Sequence, residues 1–422
     1  MSMGLPLFLL FCVYGGVNVY LPVLLSGLGY SATMIGILQG IFEAAGLVFP
    51  IFVSSKVDRK GNYGTVMVLL GVLMAAVLPP LVLFNKFWVT ALVLALFAVG
   101  FKGSVPVADA LVSRVLGDDR VNYGKVRVLG SIGFVCITLL FQFTPLVNPD
   151  SASSIAFWMG LPALLFALSV LVIPGLLRVW PRQDSADASI NATAGESTRA
   201  VTGESAMVSA PNATLRPSNL LTTSTAKVKG ALSVLAEFPF PFWAGIGLIF
   251  LGYLGMTPTQ RFFSLYVREY LHLESYAGLW ALSAAAEVPL MFLSGRFIRK
   301  YGTERILVVS LAAIAVRNLV YAAFPSFGGA VLGQLFHAIC FGLFHPAAVV
   351  FVTERAPKRL MVVGMTLYSS VSVGIASVLG NVMGGFVIDS FGYIPLFTFF
   401  SVFPAVGLIA FFALRGRFIR RY

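Results

Sequence analysis

The sequence has little charge and few of the residues that disulfide frameworks and metal sites require. Only 11% of its 422 residues are Asp, Glu, Lys or Arg, and it contains three cysteines and three histidines. A soluble domain carries about a quarter charged residues. The cysteines, Cys12, Cys136 and Cys340, have no paired spacing, and no GxxxxGK[ST] phosphate loop occurs. The chain is therefore no ordinary soluble domain, and we predict no cofactor, no metal and no ATP-driven chemistry.

Long apolar runs take the place of the missing charge. The sequence is 58% hydrophobic, contains 37 phenylalanines and repeats apolar runs of about 20 residues, the length that crosses a bilayer as a helix. The alternating pattern of membrane β-strands is absent, so we predict an all-α membrane protein. The predicted spans are 5–27, 33–55, 64–84, 88–113, 126–147, 152–176, 240–266, 275–295, 304–324, 327–352, 361–388 and 392–414.

The positive charge follows a membrane topology. The net charge is +12, and Lys and Arg fall in alternate connections between the predicted spans, with five exceptions. Such an asymmetry places the basic connections, and here both termini, in the cytoplasm. The basic residues therefore set topology, and we predict no nucleic-acid partner. The exceptions are Lys86 and Arg268 in the opposite connections, and Lys102, Arg261 and Arg317 inside spans.

The chain divides into two halves. Six predicted spans precede and six follow a Ser/Ala/Thr-rich segment without apolar periodicity, which is typical of a flexible linker. We predict an N-terminal six-helix bundle over 1–177, a cytoplasmic linker over 178–236 and a C-terminal six-helix bundle over 237–422.

The two halves also repeat short motifs. SSKVDRKG, ending at Gly61, follows the second span, and GRFIRKYG, ending at Gly302, follows the eighth. LFAVGFKG begins at Leu96 and LFHAICFG begins at Leu335. The two pairs of motifs have nearly the same offset, which indicates an internal repeat and not a chance match.

A short basic turn between paired spans, once in each half, resembles the signature loop of the major facilitator superfamily. The resemblance implies twelve transmembrane helices in two six-helix bundles that rock about a central cavity. It also implies a monomer in a bacterial inner or plasma membrane, with the lipid bilayer, a small-molecule substrate and H⁺ as its partners. The implied gating-loop residues are Asp58, Arg59, Gly61, Gly295, Arg299, Lys300 and Gly302.

Ionisable residues inside spans are costly and are functional candidates by default. Lys102 and Asp109 fall on one helical face, and Gln39 and Glu43 are one turn apart, as expected for a polar cavity. Lys102 and Arg261 would either neutralise a buried acid or attract an anionic substrate. The candidates are Glu43, Lys102, Asp109, Arg127, Arg261, Glu287, Arg317, His337 and His345.

The stretch from Pro106 to Phe134 resembles the helix 4 to helix 5 region of the lactose permease family. The resemblance implies that Asp109 and Arg127 hold the substrate, with Phe134 where the family has a sugar-stacking tryptophan. A carboxylate accepts and a guanidinium donates, so the pair can bind hydroxyls or an anionic group. A structural salt bridge between two helices remains the alternative.

The second half continues this resemblance. Arg317 and His337 match the family's helix 9 arginine and helix 10 histidine, which implies a role in proton coupling. Cys340 replaces the family's helix 10 glutamate, and Ala284 stands at the place of its helix 8 acid, with Glu287 one turn further. The sequence around Glu287 and His337 also resembles the phenylpropionate permease-like symporters.

We therefore expect a secondary transporter and not an enzyme. The expected activity is proton-coupled uptake of a sugar, a nucleoside or an aromatic carboxylate by alternating access. Substrate would bind at Asp109, Arg127, Phe134, Lys102 and His337, and protons would be handled by Glu287, Arg317, His337 and Glu43. An uncoupled facilitator, a proton/drug antiporter and a transport-like receptor remain alternatives.

Overall fold

A computed structural model describes residues 3–116, 123–180 and 234–418, and within these ranges the chain forms twelve long helices and no strand. Each predicted span overlaps one helix, which confirms the twelve-span, all-α fold. The helices are α1 Gly4–Gly27, α2 Ala32–Lys60, α3 Tyr63–Leu83, α4 Phe87–Leu116, α5 Tyr123–Phe143, α6 Ala152–Val172, α7 Phe240–Tyr270, α8 Tyr276–Tyr301, α9 Thr303–Ala323, α10 Phe327–Arg355, α11 Val363–Phe391 and α12 Tyr393–Phe418.

The predicted linker 178–236 lies outside the described residues except at its two ends. The limits of the two bundles, 1–177 and 237–422, therefore remain predictions. Each half nevertheless packs mainly within itself: α1 lies against α5 and α6, and α9 lies against α12. Contacts between the halves are made mainly by α2 with α11 and by α5 with α8.

The predicted basic turns are largely helical. Helix α2 runs through the first motif to Lys60, and α8 runs through the second to Tyr301. The actual turns centre on Gly61 and Gly302, which have φ angles of 68° and 83°. Glycine adopts this left-handed region without the steric cost that a Cβ brings, so the repeated glycine is the residue that reverses the chain.

The apolar surface has the distribution expected in lipid. Large side chains such as Trp88, Phe143 and Ile409 are at least 70% exposed, although the interior is filled with buried Leu, Val and Phe. Exposure of this kind indicates a hydrocarbon environment when it accompanies helices long enough to cross it. The chain is an integral multi-pass membrane protein.

Twelve spans that alternate in direction place the start of α1 and the end of α12 on one face of the helix array, which also carries Gly61 and Gly302. We call this face the termini side, and the face with residues 28–31 and Gly392 the far side. On the far side α2 and α11 approach closely: a Cβ added to Gly36 would lie 2.3 Å from the backbone oxygen of Asn381. Only glycine permits this approach, because the obstacle is backbone and cannot turn away.

We expect Gly36→Val to block closure of the far side, because its side chain cannot fit between α2 and α11. Substrate uptake should fall at least about tenfold, as overpacking of a close contact predicts. A cysteine placed at Asn381, in a chain whose native cysteines are replaced by serine, should react faster with a thiol reagent applied from the far side. The matched control is Gly247→Val, since nothing lies within 4 Å of a Cβ at Gly247. Unchanged uptake and labelling in Gly36→Val would contradict this account.

Candidate functional site

One buried carboxylate binds two cations across the two halves. Glu43 on α2 lies 3.1 Å from Lys102 Nζ on α4 and 2.6 Å from Arg261 Nη2 on α7, and both contacts involve Glu43 Oε1. We call these three residues the central triad. Glu43 is 5% exposed, so in this apolar setting its charge needs the two partners. Lys102 and Arg261 therefore both pair with a buried acid, which is one of the two roles expected for them.

Local structure explains how Lys102 reaches Glu43. A Cβ added to Gly46 would lie 2.5 Å from Lys102 Cγ, so the lysine stem crosses α2 where α2 has no side chain. Its ammonium also lies 5.7 Å from the ring of Phe42 and 5.9 Å from the ring of Phe101. Aromatic faces at this distance favour a cation. The carboxylate and the rings together offset part of the cost of burying this ammonium group.

We expect Gly46→Val to displace Lys102 from Glu43 and to lower the initial rate of uptake about tenfold. The buried Glu43 carboxylate would then keep only one of its two cationic partners. Adding Lys102→Met to Gly46→Val should lower the rate little further, since both changes remove the same contact. The control is Gly27→Val, where nothing lies within 4 Å of the added Cβ. Independent, additive losses in the double variant would show that Gly46 acts elsewhere.

A second buried cluster lies wholly in the C-terminal half. Glu287 Oε2 on α8 lies 3.0 Å from His337 Nε2 on α10, and His337 Nδ1 lies 3.1 Å from Arg317 Nη1 on α9. Arg317 also donates to Gln334 Oε1 at 2.7 Å and to the Tyr321 hydroxyl at 3.3 Å. The three predicted coupling residues Glu287, His337 and Arg317 are thus brought together as a relay, with the histidine between the other two.

The partners of His337 define its hydrogen-bonding roles. An arginine only donates, so Nδ1 must accept from Arg317. The proton of the neutral imidazole is then on Nε2, which donates to the Glu287 carboxylate. A second proton on Nδ1 would face the Arg317 donor and break that bond. In this arrangement the Glu287 carboxylate can take up a proton, whereas His337 can accept a second proton only at Nδ1, after its hydrogen bond with Arg317 has broken.

A π-helical segment positions His337 next to Glu287. Residues Ala338–Leu343 of α10 are π-helical, and such segments are frequent at functional sites. Within it, a Cβ at Gly342 would lie 3.1 Å from the Glu287 backbone oxygen, so α10 approaches α8 closely at this level. Cys340, at the place of the family's glutamate, is fully buried.

The predicted substrate pair is adjacent and partly open to solvent. Arg127 Nε lies 3.7 Å from Asp109 Oδ1, and about a third of each side chain is exposed. The guanidinium also lies 4.2 Å above the ring of Phe11. Phe134 lies two helical turns beyond Arg127 on α5 and is partly buried against the core. The structure therefore brings Asp109 and Arg127 together, close to the termini side.

One polar cluster has no signal in the sequence spacing. His345 Nδ1 lies 2.9 Å from both the Tyr253 and Tyr368 hydroxyls, which are 2.8 Å from each other. The three residues come from α10, α7 and α11. The ring of Phe341 stacks between His337 and His345, with centroids 5.5 and 5.4 Å away. His345 is thus a hydrogen-bonded residue of the bundle interior.

The gating-loop residues lie at helix ends on the termini side. Asp58 and Arg59 are in the last turn of α2, although their side chains lie outside the described part of the chain. The second copy lines a depression of about 560 Å³ next to the Glu304–Arg355 ion pair. Its lining residues are Gly295, Ile298, Arg299, Gly302, Thr303, Glu304, Val350, Glu354 and Arg355.

Polar contacts join the two halves on the far side. The Asp389 carboxylate on α11 accepts from the backbone N–H groups of Ala32 and Thr33, at 3.0 and 2.8 Å, and so caps the start of α2. A carboxylate at a helix N-terminus satisfies free N–H groups and the helix dipole. Ser26 of α1 donates to Glu269 of α7 at 2.5 Å.

Two further contacts join the halves at the same level. Arg268 on α7 pairs with Asp150 in the connection between α5 and α6, and the Gly278 backbone N–H donates to Gln142 Oε1 at 2.8 Å. On the termini side the ion pairs Arg355–Glu304 and Arg359–Glu237 each lie within the C-terminal half. In the part of the chain that the structure describes, the far side is therefore where these polar contacts join the two halves.

Comparison with known proteins places this geometry in a family. Residues 1–399 match the MFS_1 like family. Maltose permease of Geobacillus stearothermophilus is 24% identical over 74% of this chain and 68% of its own length. The probable 3-phenylpropionic acid transporter of Escherichia coli (strain K12) is 22% identical over 97% of this chain and 94% of its own length.

Solved structures agree with this fold. A mutant of the nucleoside transporter NupG has a TM-score of 0.76 at 15% identity and covers 98% of each chain. A bacterial homologue of the human lysosomal transporter Spinster has a TM-score of 0.70 at 17% identity, over 100% of this chain and 97% of its own. The relatives reported are named permeases or transporters. The chain belongs to the MFS_1 like family and is a transporter of the major facilitator superfamily.

Proposed function

We propose that the chain is a proton-coupled symporter that takes up a small organic solute by alternating access. The observation that carries this proposal is the relay of Glu287, His337 and Arg317, in which a carboxylate, an imidazole and a guanidinium are hydrogen-bonded in series inside the membrane. Ionisable groups are expensive there and mark proton or substrate pathways. The relay offers a carboxylate that can take up a proton and an imidazole that can accept one at Nδ1 once its bond with Arg317 has broken.

The substrate side of the proposal rests on two groups of side chains. Asp109, Arg127 and Phe134 offer an acceptor, a set of donors and an apolar surface near the termini side. Lys102 and His337 lie deeper, each bound to the carboxylate that its bundle contributes, Glu43 or Glu287. A solute between the bundles would contact both groups. Sugars, nucleosides and aromatic acids are the candidates, as in the names of the relatives.

Alternating access is supported by the unequal fastening of the two sides. The halves are held together by Asp389, Glu269 and Arg268 on the far side. Breaking these contacts would free α2 from α11 and α1 from α7, and the bundles could then rock about the central triad. The turns at Gly61 and Gly302, with the charged helix ends before them, would guide closure of the termini side. Such a cycle needs substrate and proton to bind the two conformations with different affinity.

An uncoupled facilitator is the second candidate, and Cys340 is the observation that favours it. The lactose permease resemblance implies a glutamate at this position, and a thiol does not supply the same proton site. In that case Glu287, His337 and Arg317 would stabilise the bundle without carrying a proton.

The test is uptake of labelled solutes into proteoliposomes that contain the purified full chain. Maltose, uridine and 3-phenylpropionate represent the three solute classes. With an inward proton gradient, we expect one class to accumulate above its equilibrium level and to leak back when a protonophore is added. Uptake that only equilibrates would establish the facilitator. Movement of none of the three classes would contradict the proposal.

A further inference from the structure

The central triad carries an unbalanced positive charge. Arg261 is permanently cationic, and Lys102 is held next to one carboxylate and two aromatic rings. Glu43 is the single acid with which both form ion pairs. Two cations and one carboxylate leave one positive charge among side chains that are mostly buried, with 26% of the Lys102 side chain and 16% of the Arg261 side chain exposed. A buried net charge is costly unless a counter-charge joins it.

The other two intramembrane clusters are balanced. Asp109 pairs with Arg127, and Glu287 is linked through a neutral His337 to Arg317. The contacts that the structure describes there match one acid with one permanent cation in each cluster. The unmatched charge is therefore localised at the triad, where α2, α4 and α7 meet.

The triad also contains buried polar atoms without a hydrogen-bond partner among the described residues, Glu43 Oε1 among them. Both cations contact the same oxygen of Glu43. Arg261 Nε is buried without a partner among the described residues, and the same is true of Nε2 of Gln39, which lies one turn before Glu43 on α2. Unpartnered buried donors cost free energy until an acceptor reaches them. A carboxylate is an acceptor only, whereas a hydroxyl must also find an acceptor for its own proton.

We infer that the transported solute is a monocarboxylate anion and that its carboxylate binds Lys102 and Arg261 at the central triad. This inference rests on the proposed function and selects one of its three solute classes. One negative charge balances the triad, whereas a dianion would leave it negative and a neutral sugar or nucleoside would leave it positive. Arg261 then sets solute specificity through its charge and its planar pair of donors.

The position of the triad gives the anion a second effect. Glu43 and Lys102 belong to the N-terminal half and Arg261 belongs to the C-terminal half. A solute carboxylate that bridges Lys102 and Arg261 competes with Glu43 for the contact between the halves. Binding therefore changes the ion pair between Glu43 on α2 and Arg261 on α7, which joins the two halves. Coupling requires an interaction of this kind, whose free energy differs between the two conformations.

The test compares exchange of labelled 3-phenylpropionate with that of its neutral amide, which has nearly the same shape, in proteoliposomes of the full chain. Wild type should exchange the acid and discriminate against the amide. Arg261→Gln should lower exchange of the acid about 30-fold or more, as loss of a partner of a buried charge predicts. Arg359→Gln, at an exposed ion pair on the termini side, is the control.

A charge-restoring variant separates specificity from structure. Arg261→Gln leaves the triad neutral, and Glu43→Gln added to it returns one positive charge on Lys102. We expect the double variant to recover part of the lost exchange of the acid, whereas a purely structural role of the Glu43–Arg261 contact predicts no recovery.

The outcomes distinguish this inference from the proposed function. If maltose, uridine or the amide is transported and the acid is not, transport stands and the inference is wrong. Exchange of the acid that is undiminished in Arg261→Gln would also overturn it, as would a double variant that recovers nothing. If no compound moves, the proposed function itself fails and the inference fails with it.

Discussion

Replacing Arg317 by methionine is expected to lower the rate of solute uptake about 100-fold or more. Arg317 is 2% exposed, and its guanidinium binds His337, Gln334 and Tyr321. Methionine fills a similar volume but leaves these partners without a donor and leaves Glu287 without a linked cation. Removing one partner of a buried charge network costs about 3–5 kcal/mol, which corresponds to two or more decades in rate if the cost falls on the transport cycle. The measurement is initial uptake into proteoliposomes.

Two comparisons show whether this loss reflects the relay. Arg359→Met removes an arginine from an exposed ion pair on the termini side and should leave uptake within about twofold of wild type. Arg317→Lys keeps the charge but lacks the planar guanidinium that donates to three partners at once, and we expect it to retain only part of the uptake activity. Wild-type uptake in Arg317→Met would show that the arginine serves only to fill space between α9 and α10.

The second large effect is expected for Glu287→Gln. Glutamine keeps the shape and can still hydrogen-bond His337 Nε2, but it cannot gain or lose a proton at neutral pH. We expect accumulation driven by a proton gradient to be abolished, while exchange of labelled for unlabelled solute across the membrane continues. The measurement is the ratio of internal to external solute at steady state, which should fall to about one when no gradient is coupled.

The control for this prediction is Glu237→Gln, which makes the same substitution at the ion pair with Arg359. It should accumulate solute like wild type. Accumulation that persists in Glu287→Gln would move the proton site elsewhere, with Glu43 as the remaining carboxylate of the predicted coupling group.

The fold could be predicted from the sequence because each membrane helix corresponds to one long apolar run. Each span must satisfy its own backbone within one apolar run, so length and hydropathy are sufficient to find it. The helix ends were less accurate: α2 and α8 continue to Lys60 and Tyr301, because charged residues at the membrane surface extend a helix as readily as they end it. Gly61 and Gly302 mark the ends of these two helices because both have a positive φ angle, which glycine adopts without steric cost.

The site was predictable where a family pattern fixed the spacing. Asp109 with Arg127, and His337 with Arg317, match the family spacing and are neighbours in the structure. Glu287 lies one turn from the family's helix 8 position and also contacts His337. Arg261 was only one of several unassigned charges, because its partner Glu43 lies in the other half and no local spacing connects them. Helical phase cannot reveal such a contact.

The π-helical segments limited prediction in the same way. They occur in α7, α10 and α11 at 258–262, 266–270, 338–343 and 368–375. Each one shifts the direction of the side chains that follow it, so a regular 3.6-residue phase misplaces them. His345 follows the segment at 338–343, so a regular helical phase does not predict its contacts with Tyr253 and Tyr368.

The measurement that tests proton coupling most directly is the external pH of lightly buffered cells that express the chain, recorded as solute is added. If the relay couples uptake to protons, 3-phenylpropionate should alkalinise the medium, and the response should be absent in Glu287→Gln and present in Glu237→Gln. Solute that enters without any change in pH, in wild type, would contradict the account and leave Arg317 with a structural role alone.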